Sequence, residues 1–292
     1  MLIYSLFGIN ILIAFLSGIL NKRFQLGFRT DPVHFISYNF INALLASVYF
    51  FVGNGFVLNM NLITFLYSVV FALIVILALI LGILALSRVS ISLSGITSTA
   101  GSTILSALFG ILFLKEPSSL RLFLSAAFML CAILIPYRKF WNSGEKNSIP
   151  ICAALFLNAG ASVILQKLYT ITPGVCDSQS FFLMTNLIIV GVCAIVLGVM
   201  MLRHPQEKKL LLCPFSKKQL GNIAARTLLS NIGSIITIVL LANMNVSVYT
   251  VVSSALGIIS GAILSKFVFR EYMPRENWIA VLCAIAAILI AP

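Results

Sequence analysis

Asn222, Arg226, Ser230 and Ser234 recur every four residues through an otherwise apolar stretch, and Thr237 follows one turn later. That spacing puts them on one face of a helix. A guanidinium on such a face is costly against hydrocarbon, so the face calls for a water-filled cavity or a protein interface. Two structural readings stand beside the cavity. Arg226 is close enough to the end of the stretch for its stem to carry the charge to the surface. The face could also serve as hydrogen-bonding glue between helices. Facing a cavity, the planar fork of Arg226 suits a carboxylate or a phosphate. The solute expected there is anionic or zwitterionic, with Ser230, Asn231 and Ser234 supplying polar contacts.

Other polar residues sit in equally apolar surroundings. Tyr38, Asn39 and Asn42 share one stretch and Asn186 lies in another. An amide taken out of water must find a partner, so each serves either structure or a ligand. Ser94, Ser98, Ser102, Ser106 and Gly110 form a second four-residue stripe, answered later by Ser253, Gly257, Gly261 and Ser265. Small residues at this spacing let two helix backbones approach closely. Ser98, Ser102, Ser253 and Gly257 could touch a solute at the same place. Thr97, Thr99 and Thr103 add hydroxyls, and His34 reads as interfacial.

What is missing narrows the chemistry further. All seven acidic residues (Asp31, Glu116, Glu145, Asp177, Glu207, Glu271, Glu276) fall in loops or at the ends of apolar stretches. A proton-coupled exporter of organic cations ordinarily keeps a carboxylate near the midplane. A membrane enzyme ordinarily needs clustered acids, metal ligands or a histidine beside a carboxylate. With two histidines and no acid inside a stretch, we expect no catalytic residue, no metal site and no enzyme. There is no Walker-type nucleotide loop, and nothing calls for a cofactor. The six cysteines show no paired spacing and read mostly as small hydrophobes.

The elements that position these residues follow from composition. Apolar residues make up 61% of the 292 and charged residues 9%, far below the roughly 25% charged of a soluble domain. A spanning helix needs about 20 mostly apolar residues. Ten candidates meet this: 2–20, 33–53, 62–86, 91–114, 120–137, 150–168, 180–202, 219–242, 247–269 and 277–291. The fold class expected is an all-α integral membrane protein. The net charge of +12 sits mainly in short loops. Such loops meet anionic lipid head groups and set orientation, and they do not mark a nucleic-acid partner. Loops on the side opposite the termini carry fifteen Lys and Arg, against three (Lys115, Arg121, Lys167) on the side of the termini. The positive-inside rule then puts both termini away from the cytoplasm. The first residues lack a basic n-region, so no cleaved signal peptide is expected. Short terminal extensions fit a multi-pass protein of a bacterial inner membrane.

The chain also repeats itself. Shifting residues 87–135 by 155 puts Glu116 on Glu271, and Ala132-Ile133-Leu134-Ile135 on the identical Ala287-Ile288-Leu289-Ile290. Ser92, Ser98, Ala100 and Ala107 fall on Ser247, Ser253, Ala255 and Ala262. Earlier helices match at smaller offsets: Lys22 with Lys167, Phe35 with Phe182, Asn39 with Asn186. Each copy holds five spans, and an odd number forces the second copy to enter the membrane inverted. Residues 1–147 and 148–292 are the two five-helix repeats, a plan shared by many secondary transporters. The Arg226 stripe has no counterpart in the first copy, where the equivalent face is Tyr67, Phe71, Val75, Leu79 and Gly82. The fifth and tenth spans are almost without polar side chains and are expected to face lipid or, in a homodimer, a partner subunit.

The segment Leu112-Phe113-Leu114-Lys115-Glu116-Pro117 and its echo Val268-Phe269-Arg270-Glu271 resemble the drug/metabolite transporter superfamily, of the EamA-like type. The resemblance covers nearly the whole chain. It implies two inverted five-helix repeats, a central cavity and transport of a small metabolite. Two departures stand out. Members often carry a proline mid-way along the fourth and ninth helices, where this chain has Ser102 and Gly257. They are usually drawn with cytoplasmic termini, against the charge bias here. The function expected is secondary transport by alternating access; the alternatives are a flippase for a lipid or lipid-linked metabolite and, further off, a membrane enzyme.

Overall fold

The structure is a computed structural model that describes residues 2–25, 32–88, 91–117, 119–141, 149–203, 215–268, 270 and 275–291. The linker 142–147, the basic segment 204–214 and Glu271 lie outside them, as does the side chain of Ser94. Among the described residues there are ten α-helices and no strand. They are α1 (Leu2–Gln25), α2 (Pro32–Gly53), α3 (Leu62–Arg88), α4 (Ile91–Leu112), α5 (Leu120–Trp141), α6 (Ile149–Ile171), α7 (Ser178–Arg203), α8 (Lys217–Asn243), α9 (Val246–Ile263) and α10 (Arg275–Ile290). A π-helical turn, Leu264–Val268, continues α9. By length and composition six of them, α2, α3, α6, α7, α8 and α9, are able to cross a membrane, which fits a multi-pass membrane protein. The apolar stretches of α1, α4 and α5 are shorter, and α10 has 16 residues, about 24 Å at 1.5 Å per residue against a hydrocarbon core of about 30 Å.

Local chemistry sets the ends of these helices. Pro32 and Pro150 lie in first turns, where a missing N–H costs no bond. Asn61 Oδ1 accepts from Thr64 N, Ser119 Oγ from Leu122 N, and Asp177 Oδ2 from Ser180 N. Ser216 and Gln219 cap α8 reciprocally. Each such cap contributes about 1 kcal/mol.

The chain divides into two compact units: Met1–Phe15, Leu77–Ile171 and Thr237–Pro292 form one, Leu16–Ile76 and Thr172–Ile236 the other. Each draws helices from both halves of the sequence. In the first unit α5 packs on α10, α4 on α6, and α9 on both α4 and α10. Met129, Ala132 and Ile133 of α5 meet Ala280, Ala284 and Ala287 of α10 in a core shared with Ala100, Val251 and Ala255. Ser125 Oγ, fully buried, donates to Ala287 O. The fifth and tenth helices therefore bury one face on each other. Their other faces, with Leu120, Phe123, Leu124, Leu282 and Leu289, are exposed. In the second unit α2 packs on α7, with the Phe50 and Phe182 rings stacked at 5.3 Å and Ala43 against Ile189 and Cys193.

Helices whose sequences match between the two halves pack on each other within these units. α2 meets α7 antiparallel, position 50 at 182 and position 43 near 189. α4 meets α9 antiparallel: Thr103 lies 2.6 Å from Ser254 by their hydroxyls, and Gly110 lies beside Val246. α4 and α9 also finish alike. Leu114 N bonds back five residues to Phe109 O, in π fashion, and Lys115 then takes φ 51°. α9 passes through its π turn from Leu264, and Arg270 takes φ 53°. Non-glycine residues seldom adopt that region, yet here it recurs at the same 155-residue offset as the repeat.

Two expectations need correction. Lys167 was counted as a loop charge. α6 instead runs on to Ile171, and Lys167 is 7% exposed because its ammonium donates to Leu241 O at 2.6 Å and Met244 O at 2.8 Å. The second concerns the small-residue stripe. A Cβ added at Gly257 or Gly261 would meet nothing within 4 Å, so those glycines make no close approach. Within the stripe the close approach is at Gly110, where a Cβ would lie 2.7 Å from Val246 Cγ1; a second one is on another face of α4, where a Cβ at Gly101 would run into the Phe156 carbonyl and one at Gly160 would lie 2.9 Å from Gly101 O. The run Asn158-Ala159-Gly160-Ala161-Ser162 in α6 is the sequence signal for it.

Candidate functional site

In the second unit α2 and α8 gather most of the polar residues singled out above. Ile223 anchors α8 against Tyr38, Phe215, Ile41 and Leu45. One turn on, the Arg226 guanidinium lies over the Tyr38 ring, 5.3 Å from its centroid. Stacking of this kind holds the guanidinium plane while leaving its N–H edges available. Arg226 is half-buried, and α2, α3, α7 and α8 contain no acidic residue. Among the described residues of this unit the one carboxylate is Asp177, which caps α7 through Ser180.

The amides of α2, α7 and α8 have defined remaining capacity. Thr227 Oγ1 lies 2.7 Å from Asn42 Oδ1 and 2.8 Å from Ile223 O, and its single proton is shared between them. Asn39 Nδ2 donates to Phe35 O and Asn186 Nδ2 to Phe182 O, each at 2.7 Å. These two amides, matched in the sequence alignment of the two halves, thus close the same four-residue bond on their own helices and keep Oδ1 as an acceptor. Asn231 is 7% exposed, and its Nδ2 has no acceptor among the described residues. Ser234 is half-buried and donates to Ser230 O at 3.0 Å, and Ser230 itself is exposed. His34 is edge-on to Phe215, with ring centroids 6.1 Å apart.

Ser98, Ser102, Ser253 and Gly257 belong to the first unit. Ser98, Ser102 and Ser253 are half-buried and Gly257 is exposed. Ser102 Oγ donates to Thr99 O at 3.0 Å, and the hydroxyl contact between α4 and α9 is made by Thr103 and Ser254. Sequence reading missed Thr227, whose only signal is its place one residue after Arg226. It also missed Ser254, which stands next to Ser253.

Chemically, the α2–α8 face can hold an anionic group: it offers a guanidinium held over an aromatic ring, amide donors and, among the described residues, no competing carboxylate. Among the described residues no group of three His, Cys, Asp or Glu side chains could hold a metal ion. No protein-family model matches the chain, and no curated protein does. In three dimensions it is similar to a protein solved by crystallography, with a TM-score of 0.67 and 13% identity, over 99% of this chain and 97% of that one. That likeness extends the same fold from end to end of the two chains.

Proposed function

We propose that this chain is a secondary transporter of a small anionic or zwitterionic metabolite, working by alternating access in a cell membrane. Its ten helices are read as ten spans in two inverted five-helix repeats, 1–147 and 148–292, of the EamA-like drug/metabolite transporter type. The antiparallel packing of repeat-related pairs α2·α7 and α4·α9, and the matched ends of α4 and α9, support that layout. The reading of the solute rests on one observation. Arg226 sits within the spanning helix α8, stacked on Tyr38, in a unit whose helices carry no carboxylate to neutralise it. A cation kept in apolar surroundings without a counter-ion is costly unless a ligand supplies one. Tyr38, Asn39, Asn42, Asn186, Ser230, Asn231 and Ser234 complete that face, and we assign it no catalytic chemistry.

The test is uptake of small carboxylates, phosphates and amino acids into proteoliposomes. Arg226→Ala is expected to abolish uptake while expression and detergent stability stay close to the parent. Arg226→Lys is expected to restore little, because an ammonium lacks the planar fork and the stack. Full uptake by Arg226→Ala would end the anion-site reading. The exposure of Ser230 favours one second reading, a groove open sideways to lipid-linked solutes. Uptake that requires a lipid-linked substrate would select it.

A further inference from the structure

The α8–α9 turn, Asn243–Asn245, is fastened by two opposite charges from elsewhere in the first unit. Glu116, just past the end of α4, accepts at Oε1 from Val246 N (2.6 Å) and at Oε2 from Ser247 N (3.1 Å) and Ser247 Oγ (2.6 Å). Lys167 of α6 donates to Leu241 O and Met244 O. An anion thus meets the positive end of α9 and a cation the negative end of α8, the favourable sense for both helix dipoles. The two charges are within electrostatic reach of one another. Gly110 makes the room, since a Cβ there would lie 2.5 Å from Glu116 Oε2 and 2.7 Å from Val246 Cγ1.

This cap differs in kind from the others. Asn61, Ser119, Asp177 and Ser216 each cap the helix they introduce. Asn245 introduces α9 and makes no side-chain cap bond. α9 takes its cap from the segment that follows α4, so the bond can be released without unwinding α9 itself. The parts are also duplicated in sequence: Glu116, Ser247 and Lys167 match Glu271, Ser92 and Lys22. These three matches lie far apart in the chain, and in the copy the structure describes they converge on one corner. Glu271 and the side chains of Ser92 and Lys22 lie outside the described residues, and the inverted layout proposed above assigns that second set to the opposite end.

We propose that Glu116, Lys167 and Ser247 form a releasable clasp that closes one end of the transport path, opening when the α8–α9 turn leaves them. The proposal rests on the transport reading given above. Its test needs no substrate, so the two stand or fall separately. Ser253→Cys on α9 is placed in the full chain with its six cysteines replaced by alanine, and labelled by a membrane-impermeant maleimide in vesicles. Glu116→Gln weakens the clasp by charge and Gly110→Ala by bulk. Each should raise the labelling rate about tenfold, the population shift expected from losing a charge-assisted hydrogen bond. Ser247→Ala, which removes one of three bonds to the carboxylate, should raise it less. Glu271→Gln should move it the other way. Lower melting temperatures with unchanged labelling in both Glu116→Gln and Gly110→Ala would make the contact a fixed helix cap and overturn the proposal. Equal increases from Glu116→Gln and Glu271→Gln would overturn it as well, since that is general loosening.

Discussion

Lys167 and Arg226 both lie within apolar helices of this protein, and their surroundings are opposites. Lys167 is 7% exposed and spends its ammonium on the Leu241 and Met244 carbonyls, with Glu116 fastening the same turn. Arg226 has an aromatic face beneath it and no acidic residue on its own helix or on α2, α3 or α7. The first charge is consumed by the fold; the second is kept available. A charge within a span is a functional signal only after its partners are counted, because burial with matched partners is a structural solution to the same desolvation cost.

Substitutions can break that contrast from either side. Lys167→Met leaves the Leu241 and Met244 carbonyls unmet and should cost about 3 kcal/mol, seen as a large drop in melting temperature in detergent. Gly101→Ala pushes a methyl into the Phe156 carbonyl and should separate α4 from α6, the helix that carries Lys167, at about 1–3 kcal/mol in the same assay. Thr227→Val, beside Arg226, gives up the bond to Asn42 and should cost about 1 kcal/mol. Arg226→Ala should change stability least, by less than about 1 kcal/mol, because it removes a partly exposed cation–π contact and, among the described residues, no hydrogen-bond pair. A melting drop for Arg226→Ala as large as that for Lys167→Met would erase the contrast.

The sequence made the helices legible because apolar runs of spanning length leave few alternatives, and the observed boundaries fall within a few residues of those expected. The polar and small matches between the two halves are readable in the sequence, and three of the matched residues, Glu116, Ser247 and Lys167, meet at one corner of the structure. Their coming together was not legible. Lys167 near the end of an apolar run looks like a loop charge until α8 is known to end beside it. The Gly101–Gly160 approach was hidden for a similar reason. Both the serine stripe and the glycine face of α4 satisfy the small-residue rule, and only the positions of α6 and α9 show that Gly101 and Gly110 are the members that make close approaches. The Arg226 stripe was readable as a face, whereas its stacking on Tyr38 and the sharing of the Thr227 proton with Asn42 are tertiary contacts that spacing within one helix does not encode.

The decisive experiment is thermal stabilisation of the purified protein, parent and Arg226→Ala side by side, over a panel of small anions, zwitterions and cations. A ligand that binds only the folded state raises its melting temperature. Anions or zwitterions should stabilise the parent and leave Arg226→Ala unmoved, with cations inert toward both. Stabilisation of both proteins by the same compounds, or by cations alone, would show that Arg226 holds no anionic solute.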